Sequence, residues 1–292
     1  MARVIVVGAG AMGVQIALLC ALRGYEVDVR EPDIESRRTV TERAAQRVAR
    51  RVSAGSMKQE EADAAIARIR TRLDMDADED VQLAIETVTE KRDVKRAVLA
   101  ELDRALPTGA ILASNSSSFI PSSLSTGITH RQRFLNIHFF NPVLSMRCVE
   151  IIAAPETAPE VVQRATAFVE RLGKVPVILK KEVPGFIANR ILNAVRDEAL
   201  RLYEGGYADI DMIDTACRHA LGYPMGPFEL MDLTGVDIGY YTKLARFEET
   251  GDPMDAPAST VRMLVERGEL GQKSGRGFYL YDPDSRRGEP AL

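Results

Sequence analysis

Three glycines near the start of the chain constrain its fold more than any other feature. Gly8, Gly10 and Gly13 follow the β-branched apolar run at residues 4–7 and open a stretch of helix formers at residues 11–22. In this context Gly-x-Gly-x-x-Gly is typical of the first turn of a dinucleotide-binding βαβ unit. The first glycine allows the tight turn, the second lets a pyrophosphate approach the backbone, and the third packs the helix on the strand.

The residues after the second predicted strand, at 25–29, indicate which dinucleotide is bound. Glu31 follows this strand, and a carboxylate there accepts hydrogen bonds from the ribose hydroxyls of NAD and repels the extra phosphate of NADP. The neighbouring Arg30 should point to the opposite face of the strand. The amides of Ala11 and Met12 start the helix and would bind the phosphates. We therefore predict NAD as the cofactor.

The order of predicted elements indicates an α/β fold, because strands alternate with helices over the first part of the chain. The remaining strands are predicted at residues 83–88, 110–113, 134–139, 148–153 and 175–179. Residues 33–70 predict a helical hairpin inserted after the second strand, with Gly55 at its turn. These elements predict a Rossmann-type, mainly parallel sheet at residues 1–182.

The pattern changes after residue 182. Helices are predicted at residues 185–203, 211–221 and 227–248, with no strand before residues 277–281 and a frayed tail after them. Residues 183–292 therefore form a smaller, all-helical domain. A short helical domain has a modest core, and residues 223–244 are apolar on more than one face, so a partner could cover them. We expect a homodimer held by this domain; burial of those residues within one chain is the alternative.

Composition excludes several classes of protein. Lys and Arg total 38 against 42 Asp and Glu, a net charge of -4 that gives no support to nucleic-acid binding. The longest apolar runs, such as residues 16–22, are too short to span a bilayer. Three scattered cysteines suit a reducing compartment and form no zinc pattern. The motif Gly8-x-Gly10 stands where a signal peptide would continue its apolar stretch. These features predict a cytoplasmic protein without a metal.

A dehydrogenase needs a base, and the chain has 3 histidines. His130 lies in a polar loop sequence and His219 in a predicted helix beside an arginine, where a surface role suits both. His138 ends an apolar strand, and open α/β sheets bind ligands beyond the carboxyl ends of their strands. His138 is therefore the candidate base, with an ordinary packed histidine as the alternative.

The segment HFFNPVLSMRCVE, residues 138–150, resembles the signature of the L-3-hydroxyacyl-CoA dehydrogenase family, in which such a histidine and glutamate form the catalytic pair. Four further segments are similar to that family's motifs, in its order: SNSSS at 114–118, VPGFIANR at 183–190, GYPMGPFELMDLTG at 222–235 and GQKSGRGFY at 271–279. The resemblance implies an NAD-dependent enzyme that interconverts L-3-hydroxyacyl-CoA and 3-ketoacyl-CoA. Short chains such as 3-hydroxybutyryl-CoA and acetoacetyl-CoA are expected.

The chemistry of the pair agrees with this resemblance. Oxidation of a secondary alcohol removes a hydride from carbon and a proton from oxygen, and an imidazole, with a pKa of about 6.5 in peptides, is suited to accept that proton. A carboxylate on the other ring nitrogen would fix the tautomer and stabilise the imidazolium. Glu150 can do this if its strand lies antiparallel to the strand of His138.

The resemblance also implies roles for other residues. Ser117 would hydrogen-bond the substrate oxygen or the nicotinamide side of the cofactor, and Asn189 would reach the reacting oxygens. The positions expected to line the NAD site are Glu90, Lys95, Asn141 and Lys273.

The expected CoA contact departs from the family pattern. Where the animal enzymes have a serine and a lysine near CoA, this chain has Ala44 and Arg51. The predicted hairpin is nevertheless rich in cations, and Arg47, Arg51 and Lys58 are candidate CoA contacts, with a solvated helix face as the alternative. The alanine at position 44 keeps open a dehydrogenase of a free hydroxy acid, like the carnitine and gulonate dehydrogenases. Because the family that the chain resembles includes a lens crystallin, a non-catalytic, crystallin-like NAD-binding protein also stays open.

Overall fold

The chain forms two compact units, one ending at Ile187 and the other beginning at Ala188. The computed structural model describes residues 2–284 and 286–292. The predicted boundary after residue 182 lies shortly before this division. Within the described ranges, we find no helix with the length and apolar character needed to cross a membrane.

The first unit contains an eight-stranded sheet in the order β3-β2-β1-β4-β5-β6-β7-β8. Its strands are β1 (Arg3–Val7), β2 (Glu26–Arg30), β3 (Ile69–Arg72), β4 (Val81–Glu86), β5 (Ile111–Ser114), β6 (Phe134–Phe139), β7 (Cys148–Ala153) and β8 (Val175–Leu179). Neighbours from β3 to β6 pair in parallel, β7 is antiparallel to β6, and β8 is parallel to β7. The strand order reverses between β1 and β4, which is where open α/β sheets bind ligands.

Helices cover this sheet. They are α1 (Ala11–Leu22), α2 (Ile34–Arg38), α3 (Val40–Ser53), α4 (Gln59–Ala67), α5 (Arg92–Ala105), α6 (Pro121–Leu124) and α7 (Pro159–Arg171). Helix α1 is buried along residues 13–21, because it packs against β2 on one side and against the predicted hairpin α3–α4 on another. This burial explains why α1 is apolar on every face, with Gln15 as its polar residue.

Two predictions in this region were wrong. The helix predicted to reach residue 70 ends at Ala67, and the chain then forms the edge strand β3, which pairs with β2. The sequence of β3, IRTR, contains two arginines and is only 4 residues long, so it lacks the apolar run of a buried strand. The long helix predicted from Asp33 is divided into α2 and α3 at Thr39.

The second unit is helical, with one small antiparallel strand pair. Its elements are α8 (Ala188–Glu204), α9 (Ile210–Ala220), α10 (Pro227–Thr234), α11 (Val236–Thr250), α12 (Ser259–Glu266), β9 (Tyr279–Tyr281) and β10 (Arg287–Pro290). Three expectations need correction. The single helix predicted at 227–248 is two helices separated by Gly235, α12 was not predicted, and the tail expected to fray includes β10.

Candidate active site

A cavity of about 300 Å³ opens in the first unit at the carboxyl ends of β1, β4, β5 and β6. Six predicted or candidate side chains line it: Met12, Glu90, Lys95, Ser117, His138 and Asn141. Residues far apart in the sequence converge here because the parallel strands carrying them end at one edge of the sheet. We call this cavity the cleft.

The glycine-rich turn beside the cleft has the shape that a dinucleotide requires. Gly8 has φ +101°, and a Cβ on Gly13 would lie 1.9 Å from the carbonyl oxygen of Gly8. A side chain at Gly10 would meet no atom within 4 Å, so the space over the start of α1 is open. The first intrahelical bond runs from Val14 to Gly10, and the amides that precede it face outward from the helix end. The turn therefore fits a bound pyrophosphate.

Glu31 and Arg30 point to opposite sides of β2, as predicted. The Glu31 carboxylate accepts a hydrogen bond of 2.8 Å from the amide of Ala9 in the glycine turn. Arg30 is buried, and its guanidinium donates to Asp28 and to Asp74 on the other side. Arg30 is thus engaged with carboxylates, whereas Glu31 contacts the glycine-rich turn.

His138 and Glu150 are cross-strand partners in the antiparallel pair β6–β7. The Nδ1 atom of His138 lies 3.0 Å from Oε2 of Glu150, and both side chains are buried. The second carboxylate oxygen of Glu150 accepts from the amide of Ile187 at 2.9 Å. The ring of His138 packs against Phe140 and Phe186, at centroid distances of 4.5 and 5.3 Å. Nδ1 is thereby committed to Glu150, and Nε2 is the nitrogen for a ligand.

Glu90 organises the loop after β5. One carboxylate oxygen accepts hydrogen bonds from the Ser116 hydroxyl at 2.5 Å and from the amides of Ser117 and Ser118 at 3.2 and 3.1 Å. The other forms an ion pair of 3.0 Å with Lys95. Burial raises the pKa of Glu90, but the Lys95 ammonium and the Ser116 hydroxyl outweigh it and lower the pKa below its usual value. Glu90 is therefore ionised, and its carboxylate holds the amide of Ser117 at the cleft.

Lys95 is less available to a cofactor than its place in the cleft wall suggests. Its ammonium donates to Glu86 at 2.8 Å and pairs with Glu90, and the side chains of Lys95 and Glu86 are buried. A buried cation needs such partners. The structure thus brings Lys95 to the cleft as a support of Glu90.

Comparison with known proteins identifies the family. Residues 3–183 match the family model "3-hydroxyacyl-CoA dehydrogenase, NAD binding domain", and residues 185–281 match "3-hydroxyacyl-CoA dehydrogenase, C-terminal domain". A 3-hydroxybutyryl-CoA dehydrogenase of Mycobacterium tuberculosis is 37% identical over 280 residues, covering 96% of this chain and 98% of the relative. The chain belongs to the 3-hydroxyacyl-CoA dehydrogenase family.

Two further relatives agree. The mitochondrial hydroxyacyl-coenzyme A dehydrogenase of Homo sapiens is 35% identical over 285 residues, covering 95% of this chain and 90% of the relative. The crystal structure of (S)-3-hydroxybutyryl-CoA dehydrogenase from Ralstonia eutropha has a TM-score of 0.87 at 32% identity, with 96% and 99% of the two chains covered. The resemblance drawn from the motifs is confirmed, as are the Rossmann-type fold, the dehydrogenase class and NAD as cofactor.

Two predicted site residues of this 3-hydroxyacyl-CoA dehydrogenase belong to its second unit. Asn189 lies in the first turn of α8. Lys273 lies in a short 3-10 helix, and its ammonium forms hydrogen bonds of 2.6 Å with both carboxylate oxygens of Asp237. Lys273 is therefore held by a contact within its own unit.

The cations expected to contact CoA lie on the inserted hairpin of the dehydrogenase. Arg51 and Lys58 are exposed and Arg47 is half-buried, whereas Ala44 is fully buried on the core face of α3. A hydroxyl at position 44 would therefore meet the core. The alanine there does not alter the solvent-facing side of the hairpin.

Sequence reasoning missed two side chains that line the cleft, Asn115 and Thr87, and one beside it, Gln15. Asn115 accepts a hydrogen bond of 2.9 Å from the amide of Phe139, joining the ends of β5 and β6. The Thr87 hydroxyl donates to the carbonyl of Gly8 at 3.0 Å. Gln15 on α1 is buried. A polar residue directly after a buried strand is the sequence feature that could have indicated Asn115 and Thr87. For Gln15, the corresponding feature was an amide within an apolar helix.

Proposed function

We propose that this dehydrogenase interconverts L-3-hydroxyacyl-CoA and 3-ketoacyl-CoA, with 3-hydroxybutyryl-CoA and acetoacetyl-CoA as the preferred pair. The observation that carries the proposal is the buried hydrogen bond between His138 and Glu150 at the wall of a cleft beside a dinucleotide-binding turn. The names of the relatives support the substrate class, since two are 3-hydroxybutyryl-CoA dehydrogenases.

His138 serves as the general base in the oxidative direction. When bound, NAD supplies the nicotinamide ring that accepts the hydride from C3 of the substrate. Nε2 of His138 accepts the proton of the C3 hydroxyl, while Nδ1–H donates to Glu150. The Glu150 carboxylate fixes the tautomer and stabilises the imidazolium that forms. In the reductive direction the imidazolium returns the proton to the ketone oxygen.

The other predicted residues bind and orient the reactants. Ser117 lines the cleft and its amide donates to Glu90, and its hydroxyl donates to the substrate oxygen or to the nicotinamide side of the cofactor. The proposed role of Asn189 is to bind the reacting oxygens, and that of Lys273 is to bind the cofactor. Asn141 faces the cofactor from the turn after β6. These contacts place a C–H bond against the cofactor, and such positioning accounts for much of the rate enhancement of an enzyme.

The substrate test compares acetoacetyl-CoA with free acetoacetate, using the loss of NADH absorbance. We expect turnover of the CoA thioester at least about 100-fold more efficient than that of the free acid, since several charge-assisted contacts to CoA would be lost. Equal efficiency would favour a free hydroxy acid as substrate. No substrate-dependent oxidation of NADH with any 3-ketoacyl-CoA would favour a non-catalytic NAD-binding protein.

A matched pair of variants tests the hairpin cations. Arg51→Ala should raise KM for acetoacetyl-CoA by about 3- to 10-fold with little change in kcat, because a phosphate contact far from the reacting carbon is lost. Arg104→Ala removes an exposed arginine at the end of α5 and should leave KM unchanged. Equal KM values in the two variants would contradict the CoA contact.

The proposal extends to a homodimer in the cytoplasm. Phe228, Met231 and Val236 are buried in the second unit, but Leu233, Ile238 and Tyr241 are 48 to 60% exposed, and we propose that a second copy covers them. Three cysteines without a disulfide suit the reducing cytoplasm. Sedimentation equilibrium at micromolar concentration should give about twice the monomer mass of 32.1 kDa. A mass near that of the monomer would refute the dimer.

A further inference from the structure

Gln15 is a buried amide beside the cleft, and the proposed catalytic scheme does not use it. It lies on α1 shortly after the glycine turn, with 1% of its surface exposed. Its Oε1 accepts a hydrogen bond of 3.0 Å from the amide of Val143. Its Nε2 donates to the carbonyl of Ala11 at 2.9 Å and to Oδ1 of Asn141 at 3.0 Å.

These partners determine which way each amide points. A backbone N–H can only donate, so the atom of Gln15 that faces Val143 must be its oxygen. A backbone carbonyl can only accept, so the atom that faces Ala11 must be the NH2 group. The second hydrogen of that NH2 group is directed at Asn141, where only the oxygen can accept it. The orientation of the Asn141 amide thus follows from two main-chain groups on α1 and on the loop.

We propose that Gln15 is a positioning residue that makes Asn141 a hydrogen-bond donor to the cofactor. With its oxygen committed to Gln15, Asn141 offers its NH2 group to the cleft, which it lines. The bound group facing it must then be a hydrogen-bond acceptor, such as the carboxamide oxygen of the nicotinamide. This inference rests on the proposed role of Asn141 in facing the cofactor.

A second side chain, Lys174, also holds the loop after β6, so supporting that loop does not depend on Gln15 alone. The ammonium of Lys174 is buried and donates to the carbonyls of Val143 and Met146 at 2.6 and 2.7 Å. The loop after β6 is therefore held at its main chain without Gln15. Loss of the Gln15 amide should release the side chain of Asn141 more than it moves the backbone.

The test is a double-mutant cycle on NADH binding, measured by nucleotide fluorescence. Gln15→Met keeps the volume and removes the amide, and we expect the Kd for NADH to rise about tenfold, the effect of one lost hydrogen bond. Asn141→Ala should raise it similarly. In the Asn141→Ala background, Gln15→Met should add less than about twofold, because coupled residues are not additive. Gln46→Met, at an exposed glutamine on α3, should leave the Kd unchanged.

Additive effects of Gln15→Met and Asn141→Ala would overturn the proposal, as would an unchanged Kd in Asn141→Ala.

If Gln15→Met does not fold, Asn141→Asp answers the same question. Asp can still accept from Gln15, but it presents a second acceptor to the cofactor, so NADH should bind at least about tenfold more weakly than to Asn141→Ala. Tighter binding than that of Asn141→Ala would overturn the donor assignment. The binding test uses NADH alone as its probe. If acetoacetyl-CoA is not turned over, the proposed function is contradicted, but the result of the NADH binding test is not affected.

Discussion

His138 Nδ1 and Glu150 Oε2 lie 3.0 Å apart across a pair of antiparallel strands, and both side chains are buried. The two residues are directly opposite each other in the register, so the sheet itself sets their separation. In this position a charge that forms on the imidazole meets a carboxylate with little water between them. A single strand pair therefore carries both the proposed base and the carboxylate proposed to stabilise its protonated form.

Replacing the proposed base should separate chemistry from binding. In His138→Gln we expect kcat for acetoacetyl-CoA reduction to fall roughly 10²- to 10⁴-fold, because glutamine cannot transfer a proton. The Kd for NADH, measured by nucleotide fluorescence, should change little. His219→Gln, at an exposed histidine on α9, is the matched control. Equal turnover of His138→Gln and wild type would refute the mechanism.

Cofactor choice should depend on Glu31. Glu31→Ala removes the carboxylate proposed to bind the ribose and repel a 2′-phosphate, so the ratio of kcat/KM for NADH over NADPH should fall about 10- to 100-fold. Glu35→Ala, at an exposed position on α2, should keep the wild-type ratio. Arg30, the neighbouring cation that could otherwise contact a 2′-phosphate, is paired with the carboxylates of Asp28 and Asp74. Wild-type enzyme that already uses NADPH as well as NADH would show that the assignment of Glu31 is wrong.

The loop held by Glu90 should loosen in acid. The pKa of Glu90 in the fold lies below its usual value of 4.5, since Lys95 and Ser116 outweigh the opposing effect of burial. Its stabilising effect is therefore complete above that usual value and is lost as the pH falls through the lowered pKa. We expect Glu90→Gln to cost about 1 kcal/mol of unfolding free energy at pH 7, measured with urea, and less at acid pH.

Glu101→Gln is the control for this experiment, because Glu101 is an exposed glutamate on α5, the helix that begins shortly after Glu90. Its unfolding free energy should follow the wild-type pH dependence. A Glu90→Gln variant whose loss of stability is the same at pH 7 and in acid would contradict the ionised state assigned to Glu90.

A buried carboxylate should stabilise the second unit through backbone amides. Asp214 accepts hydrogen bonds of 2.9 and 3.1 Å from the amides of Phe228 and Glu229 at the start of α10, and one of 2.9 Å from the Tyr279 hydroxyl. In Asp214→Asn the new NH2 group would face one of these donors. We expect a loss of about 1–3 kcal/mol in unfolding free energy.

Asp209→Asn is the matched control, since Asp209 is exposed at the start of α9. Both variants can be compared by thermal unfolding of the whole enzyme. If Asp214→Asn unfolds at the same temperature as Asp209→Asn, the carboxylate is not what holds the start of α10.

Local interactions made much of the fold predictable. The turn at Gly8 and Gly13 could be predicted because backbone conformation and close packing limit those positions to glycine within one short segment. Strands β6, β7 and β8 coincide with apolar runs in the sequence and have the predicted bounds. Where the pattern was weak the prediction failed, as at the short edge strand β3, whose arginines give no sign of a buried strand.

The sequence by itself determined the family, the dinucleotide turn and the residue types available for catalysis, because motifs and periodicity are properties of neighbouring residues. Only the tertiary structure decided which side chains meet. Gln15 and Asn141 are 126 positions apart, and Glu90 and Ser116 are 26 apart, yet each pair forms a hydrogen bond. Sequence spacing does not encode such contacts, since they exist only after the packing of the sheet and its helices brings the ends of separate elements together.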